Sequence, residues 1–125
     1  MMKKVLLDTN VLIWWFRNDS RLTKSLTKLI QKSHVAVSII SYWEIVIKMQ
    51  VGKLDMPLKF MEAIDDSGFE LLNLNVNHLH SLTELDVHHR DPFDRIIIAQ
   101  AISENLSIIT SDATFEKYPV NIIKA

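Results

Sequence analysis

Cysteine is absent from the 125-residue sequence, and there are only two glycines and three prolines. Without cysteine the chain can form neither disulfides nor thiolate zinc sites, and its composition is compatible with a reducing compartment. Glycine and proline interrupt regular structure, so their scarcity predicts short connections and many helices.

Long apolar runs are missing as well. No run approaches the roughly 20 residues that a membrane helix needs. Lys3 and Lys4 are followed by only a few apolar residues before Asp8, which is unlike a signal peptide. We therefore expect a soluble protein of the cytoplasm without a membrane segment.

Neither sign of charge dominates the chain. Lys and Arg number 14 and Asp and Glu number 15, which gives a formal net charge of -1. A protein without overall positive charge binds a polyanion through a local basic patch or through a metal ion. A nucleic-acid partner would therefore need one of these two features.

Apolar residues are plentiful, at 48% of the chain, and with this length they predict a single domain over residues 1–125. Short apolar segments alternate with helical patterns, which predicts a parallel sheet covered by helices on both faces. The expected fold class is thus α/β, a three-layer α/β/α sandwich with a central parallel sheet of four to five strands. The pattern does not give the order of those strands.

The predicted elements follow one another with short connections. Strands are expected at 5–7, 35–38, 69–74 and 106–110, with a fifth edge strand at 120–123. Helices are expected at 11–16, 22–32 and 42–50, from Pro57 onward, through 79–85, and from 92 as a long, largely buried helix.

Four acidic residues stand where strands end or helices begin: Asp8, Glu44, Asp94 and Asp112. The carboxyl ends of parallel strands lie along one edge of a sheet, so we expect these acids to gather there. Carboxylates that close repel one another unless they are protonated or bind a cation. Sites made only of oxygen ligands suit Mg²⁺ or Mn²⁺ rather than zinc.

Two of these acids have a structural explanation at the start of a helix that requires no catalytic or binding function. Ser41 and Glu44 match a capping box, and Glu44 and Lys48 are spaced for an i, i+4 ion pair. Asp91 before Pro92 is a good N-cap, which leaves Asp94 as an acid favoured by the helix dipole.

The other two acids have similar explanations. Asp112 can cap a short turn that ends near Phe115. Asp8 can begin the first helix, although Asn10 is better placed to cap it, which would leave Asp8 free for metal. The paired histidines His88 and His89 are predicted to lie in a loop, because adjacent residues do not point at a common centre.

Four short segments in order resemble one known family over essentially the whole chain. Asp8-Thr-Asn10, Ser41-x-x-Glu44, Asp91-Pro-Phe-Asp-Arg95 and Thr110-x-Asp112 are similar to the motifs of the PIN domain. The likeness is to the VapC-type ribonuclease toxins of prokaryotic toxin–antitoxin pairs. It implies a PIN-like fold and endoribonuclease activity that depends on Mg²⁺ or Mn²⁺. It also implies RNA as substrate, a homodimer and a cognate antitoxin protein as partners.

The resemblance assigns roles to individual residues. It makes Asp8, Glu44 and Asp94 the principal catalytic, metal-binding acids and Asp112 a more variable fourth. The supporting polar groups would be Thr9, Asn10, Ser41 and Thr110. Asp91 is interpreted as an N-cap, and the alternative is that it binds the metal directly or supports a residue that does.

Two other functions fit parts of the sequence. In a phosphatase or phosphotransfer domain Asp8 would be the nucleophile, but such sites resemble Asp-x-Asp-x-Thr and position 10 is Asn. A catalytically silent binding module of the same fold is the second alternative. All four acids are present, which argues against it.

Overall fold

The computed structural model describes residues 3–56 and 59–125. Within these ranges the strands are β1 (Lys4–Leu7), β2 (His34–Ser38), β3 (Glu70–Leu72), β4 (Ser107–Thr110) and β5 (Ile122–Lys124). The helices are α1 (Thr9–Arg17), α2 (Lys24–Gln31), α3 (Ile39–Gln50), α4 (Phe60–Asp66), α5 (Val76–Thr83) and α6 (Pro92–Glu104). A 3-10 helix, Ala113–Lys117, connects β4 to β5.

The five strands form one parallel sheet in the order β3-β2-β1-β4-β5. In the centre, Leu6 of β1 lies opposite Ala36 of β2 and Ile108 of β4. Helices cover both faces, so the predicted three-layer α/β/α class is confirmed. All strands point the same way, and their carboxyl ends lie along one edge of the sheet.

Alternate residues of each strand supply two separate cores. On one face Val5, Leu7 and Ile109 pack with helices α1 to α4, and we call this the first core. On the other face Leu6 and Ile108 pack with α6 and the 3-10 helix, which is the second core. Successive side chains of a strand point to opposite faces of the sheet, so one short strand contributes to both cores.

Helix α6 is the buried helix that the sequence predicts. Residues 96–101 are all buried, and Asp91 caps the helix by accepting hydrogen bonds from the backbone of Phe93 and Asp94. The helix ends at Asn105, whose φ of 56° is left-handed, as is typical of a helix C-cap. The cap therefore fixes the first turn of α6 at the edge where the strands end.

Three local predictions differ from the structure. Helix α3 begins at Ile39, not at Tyr42, because Ser38 caps it by accepting a hydrogen bond from Ile40. Ser41 is therefore inside the helix, and the predicted capping box is wrong. The assignment of Asn10 as the cap of α1 is also wrong, because Asp8 occupies that position.

The remaining bounds shift by a few residues at most. The predicted helix start at Pro57 lies outside the described residues, and α4 is described from Phe60. The fifth strand lies at the edge of the sheet as expected, over Ile122–Lys124. Among residues 3–56 and 59–125, no helix has both the length and the apolar character needed to cross a bilayer.

The second core predicts how a substitution in α6 acts. Ile97 is fully buried, whereas Ile102 on the same helix is only partly buried. We expect Ile97→Ala to lower the free energy of unfolding by about 2–5 kcal/mol, through lost burial and the cavity left behind. Ile102→Ala should cost clearly less. Urea unfolding of the two variants checks the prediction, and equal losses would contradict the assigned core.

Candidate active site

Asp8 connects three elements at the edge where the strands end. It follows β1 and is 4% exposed, and its Oδ1 accepts a hydrogen bond from the backbone N–H of Thr9 at 2.7 Å. Its Oδ2 accepts a hydrogen bond from Thr110 Oγ1, at the end of β4, at 2.8 Å. These two bonds fix the carboxylate at the start of α1, in the middle of the sheet.

Glu44 reaches the same place from α3. Its side chain is 15% exposed, and Oε2 lies 3.5 Å from Lys48 Nζ in the predicted ion pair. The other oxygen, Oε1, is buried and has no hydrogen-bond partner among the described residues. One turn earlier, the Ser41 hydroxyl lies 2.9 Å from that of Thr9, which connects α3 to α1 beside Asp8.

Asp94 lies in the first turn of α6, positioned by the Asp91 cap. The Oδ1 atom of Asp91 accepts hydrogen bonds from Phe93 N at 2.8 Å and from Asp94 N at 3.4 Å. The predicted N-cap at Asp91 is thus confirmed. Asp91 also lies close enough for its charge to act on Asp94.

Asp112 completes the group of acids. Its Oδ1 accepts a hydrogen bond from Thr114 N at 2.9 Å, which caps the 3-10 helix as predicted. Its own backbone N–H donates to Thr110 Oγ1 at 3.0 Å. Thr110 therefore contacts both Asp8 and Asp112.

Proximity and burial disturb the ionisation of these acids. Burial raises the pKa of Asp8 to about 6, against the hydrogen bonds from Thr110 and Thr9, and the charges of Glu44 and Asp112 add to the rise. Burial also raises the pKa of Asp94 to about 7, together with the charges of Asp8, Asp91 and Glu44. These mutual effects confirm that the four acids gather at one edge.

Asp112 behaves differently from the two central acids. Burial opposes ionisation there as well, but hydrogen bonds from Thr114 and His89 lower its pKa. Its side chain is 35% exposed, against 16% for Asp94. The open side of the acidic cluster therefore lies at Asp112.

His89 is a site residue that the sequence interpretation missed. Its Nε2 lies 3.0 Å from Asp94 Oδ2 and 2.9 Å from Asp112 Oδ2. The loop prediction itself is right, and the His88 ring packs on Tyr118 instead of sharing a centre with His89. Its local contact is with Asp91, whose backbone N–H donates to His89 Nδ1 at 3.1 Å, but the sequence alone carries no signal for the contacts with Asp94 and Asp112.

Tyr118 holds the loop that contains His88 and His89. Its hydroxyl oxygen accepts hydrogen bonds from the backbone N–H groups of His88 and His89, at 2.9 and 2.8 Å. The ring of His89 also meets the buried ring of Phe115 edge to face, with centroids 5.9 Å apart. The backbone hydrogen bond and the ring contact therefore hold the His89 imidazole between Asp94 and Asp112.

The donor set fits a hard divalent cation. Buried carboxylates with raised pKa values, and a buried Glu44 oxygen that has no partner in the described part of the chain, form a site that a cation would neutralise. Three potential ligand atoms also lie within 4.8 Å of one another, which is compatible with a shared ion. They belong to His89, Asp94 and Asp112.

The supporting residues divide into two groups. Thr9, Ser41 and Thr110 are buried and make hydrogen bonds inside the cluster. Asn10 is exposed on the surface of α1. The geometry therefore gives the first three a supporting position and places Asn10 outside it.

Comparisons with known proteins agree with this architecture. A sequence model of the PIN domain matches residues 5–121. Ribonuclease VapC22 of Mycobacterium tuberculosis is 24% identical over 115 residues, which are 89% of this chain and 88% of that protein.

Two solved complexes contain chains of similar structure. The DNA-bound VapBC complex of Salmonella typhimurium gives a TM-score of 0.74 at 21% identity, covering 99% of this chain and 98% of that chain. VapBC2 of Rickettsia felis, bound to a promoter DNA fragment, gives a TM-score of 0.70 at 18% identity. The match covers 97% of this chain and 98% of that chain. At these identities the likeness establishes the fold.

The raised pKa of Asp8 predicts a pH-dependent stability in excess chelator. The native state holds the Asp8 proton up to about pH 6, whereas the unfolded chain releases it near 3.8. The contribution of Asp8 to stability therefore falls as pH rises from about 4 through 6. Asp8→Asn, which keeps a capping oxygen, should raise the free energy of unfolding at pH 8 by roughly 2 kcal/mol and leave it little changed at pH 4.

Asp19 supplies a control of opposite sign for that experiment. Hydrogen bonds from Arg21 lower its pKa to about 2, so its ionised form stabilises the native state above pH 4. Asp19→Asn should therefore lose stability at pH 8. Denaturant unfolding from pH 4 to 8 compares both variants with the parent, and an Asp8→Asn difference independent of pH would contradict the assignment.

The position of His89 predicts a structural contribution at the site. His89→Ala would leave Asp94 and Asp112 facing each other without a donor between them, and we expect a loss of about 1–2 kcal/mol in chelator at pH 7. His88→Ala, in the same loop, should cost less because His88 contacts neither of these acids. Thermal unfolding compares the two variants, and equal losses would count against the His89 contacts.

Proposed function

This chain belongs to the PIN domain family, and from that membership and its cluster of acids we propose that it is a metal-dependent endoribonuclease. The proposed reaction is hydrolysis of RNA phosphodiester bonds, carried out by a single PIN domain over residues 1–125. The observation that carries the proposal is the convergence of Asp8, Glu44 and Asp94 from three different elements. Within residues 3–56 and 59–125, one buried oxygen of Glu44 has no hydrogen-bond partner.

Mg²⁺ or Mn²⁺ would be held by Asp8, Glu44, Asp94 and Asp112, with the His89 nitrogen beside the last two. When bound, the cation supplies charge stabilisation at the phosphate and lowers the pKa of a coordinated water. The requirement for a cation is supported by the burial of these acids and by the charges of their acidic neighbours, which together raise the pKa of Asp8 to about 6 and that of Asp94 to about 7.

The residues of the chain hold the acids ready for this chemistry. Thr9 and Thr110 orient both oxygens of Asp8. The Asp91 cap sets the first turn of α6 and with it Asp94. Because Asp112 is the most exposed of the four acids, an RNA phosphate would enter from the side of Asp112 and His89.

The same geometry argues against a phosphatase that uses Asp8 as nucleophile. Asp8 is 4% exposed, and each of its oxygens already accepts a hydrogen bond. Both features lower its nucleophilicity and restrict the approach of a phosphorus centre. Hydrolysis by water, with Asp8 as a charge-bearing ligand, agrees better with this environment.

The relatives support a biological role as the toxin of a toxin–antitoxin pair. Ribonuclease VapC22 is similar over most of both chains, and two of the similar structures are VapBC complexes. We extend this to a cognate antitoxin protein as partner, a homodimer as the assembly and the cytoplasm as the location. Growth arrest on expression, relieved by Asp8→Asn, is the outcome expected of a toxin.

The ribonuclease proposal predicts which changes abolish cleavage. Asp94→Asn and Glu44→Gln should each lower the rate of single-stranded RNA cleavage by about 100-fold or more, because each removes a charge that holds the cation. Gel analysis of end-labelled RNA with Mg²⁺ or Mn²⁺ measures the rates. Excess chelator should give the same loss in the parent protein.

Asp66→Asn, at the exposed end of α4, is the control and should retain full activity. Circular dichroism shows whether each variant is folded. Full RNA cleavage in excess chelator would refute the metal requirement. Release of phosphate from a phosphomonoester, together with an aspartyl-phosphate trapped on Asp8, would favour the phosphatase alternative.

A further inference from the structure

Trp43 is an exposed aromatic residue that directly precedes Glu44 on α3. Its relative exposure is 54%, and it is the one aromatic among the large apolar residues that are exposed in 3–56 and 59–125. The other two tryptophans, Trp14 and Trp15, pack against the first core. Core packing therefore does not explain the position of Trp43.

Phe93 holds the Trp43 indole in a defined orientation. The two ring centroids are 4.9 Å apart and the ring planes make an angle of 82°, an edge-to-face contact. Phe93 is itself partly buried and packs against the second core. The indole is thus supported by a fixed neighbour while more than half of its surface remains accessible.

The aromatic pair lies next to the acids on the same two helices. Trp43 precedes Glu44 on α3, and Phe93 precedes Asp94 at the start of α6. The charge of Glu44 acts on Asp94, so the two helices bring these acids together. The aromatic contact therefore joins the same two helices as the acids, one residue earlier on each helix.

We propose that Trp43, supported by Phe93, is a stacking surface for one unpaired nucleobase of the RNA strand whose phosphate lies at the acids. This inference rests on the ribonuclease function proposed above. Stacking on an indole contributes to binding of single strands and tolerates any base, since every base has a π-face. A base-paired strand keeps its bases stacked on each other and does not offer one to Trp43.

Charge balance favours a nucleobase as the occupant. The chain has a net charge of -1, so attraction to phosphates other than the one at the metal contributes little to affinity. Lys48, the cation nearest to Glu44 in sequence on α3, already faces that carboxylate. A non-ionic contact beside the site supplies binding that the charges do not.

The test compares Trp43→Ala and Trp43→Phe in the Asp8→Asn background, so that RNA is bound without being cut. The probe is a labelled 12-nucleotide single-stranded RNA with Mg²⁺, measured by fluorescence anisotropy. We expect Trp43→Ala to raise Kd about tenfold and Trp43→Phe to retain most of the affinity. The slope of log Kd against log salt should stay unchanged, because no phosphate contact is lost.

Tryptophan emission gives a second readout that a purely structural role would not produce. Stacking should quench the emission when RNA binds, and Trp43→Phe should remove that quenching while RNA still binds. Leu79→Ala, which truncates another exposed apolar residue on α5, is the control and should keep both the affinity and the quenching.

The outcomes separate this inference from the function on which it rests. If the parent protein cleaves RNA and Trp43→Ala in the Asp8→Asn background binds it as tightly as Asp8→Asn alone, the stacking role is refuted and the ribonuclease function stands. If Trp43→Ala instead abolishes self-association in sedimentation without changing RNA affinity, Trp43 belongs to a contact between copies. If the parent neither binds nor cleaves RNA, both proposals fail.

Discussion

The burial of several carboxylates side by side at the carboxyl ends of the strands is the constraint on which the site depends. Asp8 is nearly inaccessible to water and yet lies among other acids, and both effects raise its pKa. Hydrogen bonds from Thr9 and Thr110 partly compensate for this cost. The sheet and the helix starts hold the acids together in spite of the repulsion, which is the arrangement that a cation would relieve.

Much of this arrangement was predictable because it follows from local patterns in the sequence. Apolar segments of strand length alternating with helical patterns predicted the parallel sheet, and parallel strands place the residues after each strand at one edge. That rule places Asp8 and Asp112 at the same edge, and the pairing of β1 with β4, which the pattern does not give, makes them neighbours. The long helix was predictable too, because Asp91-Pro92 marks its start and apolar residues follow on most sides.

Of the details that differ from prediction, one depends on a contact between residues distant in the sequence and two on the choice between neighbouring capping residues. His89 reaches the site because Tyr118, 29 residues later, fixes its backbone, and no local pattern contains that contact. Helix α3 begins earlier than its predicted start because Ser38 both ends β2 and caps the next helix. Asn10 was mistaken for the cap of α1 since its capping preference resembles that of Asp8.

Helix capping and metal binding are compatible roles for the same carboxylate. Each carboxylate has two oxygens, and a cap needs only one of them. In Asp112, Oδ1 caps the 3-10 helix while Oδ2 faces His89 in the cluster. In Asp8, Oδ1 bonds to the first residue of α1 and Oδ2 to Thr110. The capping explanation of these acids therefore does not compete with the functional one, since the cap is what aims the second oxygen into the site.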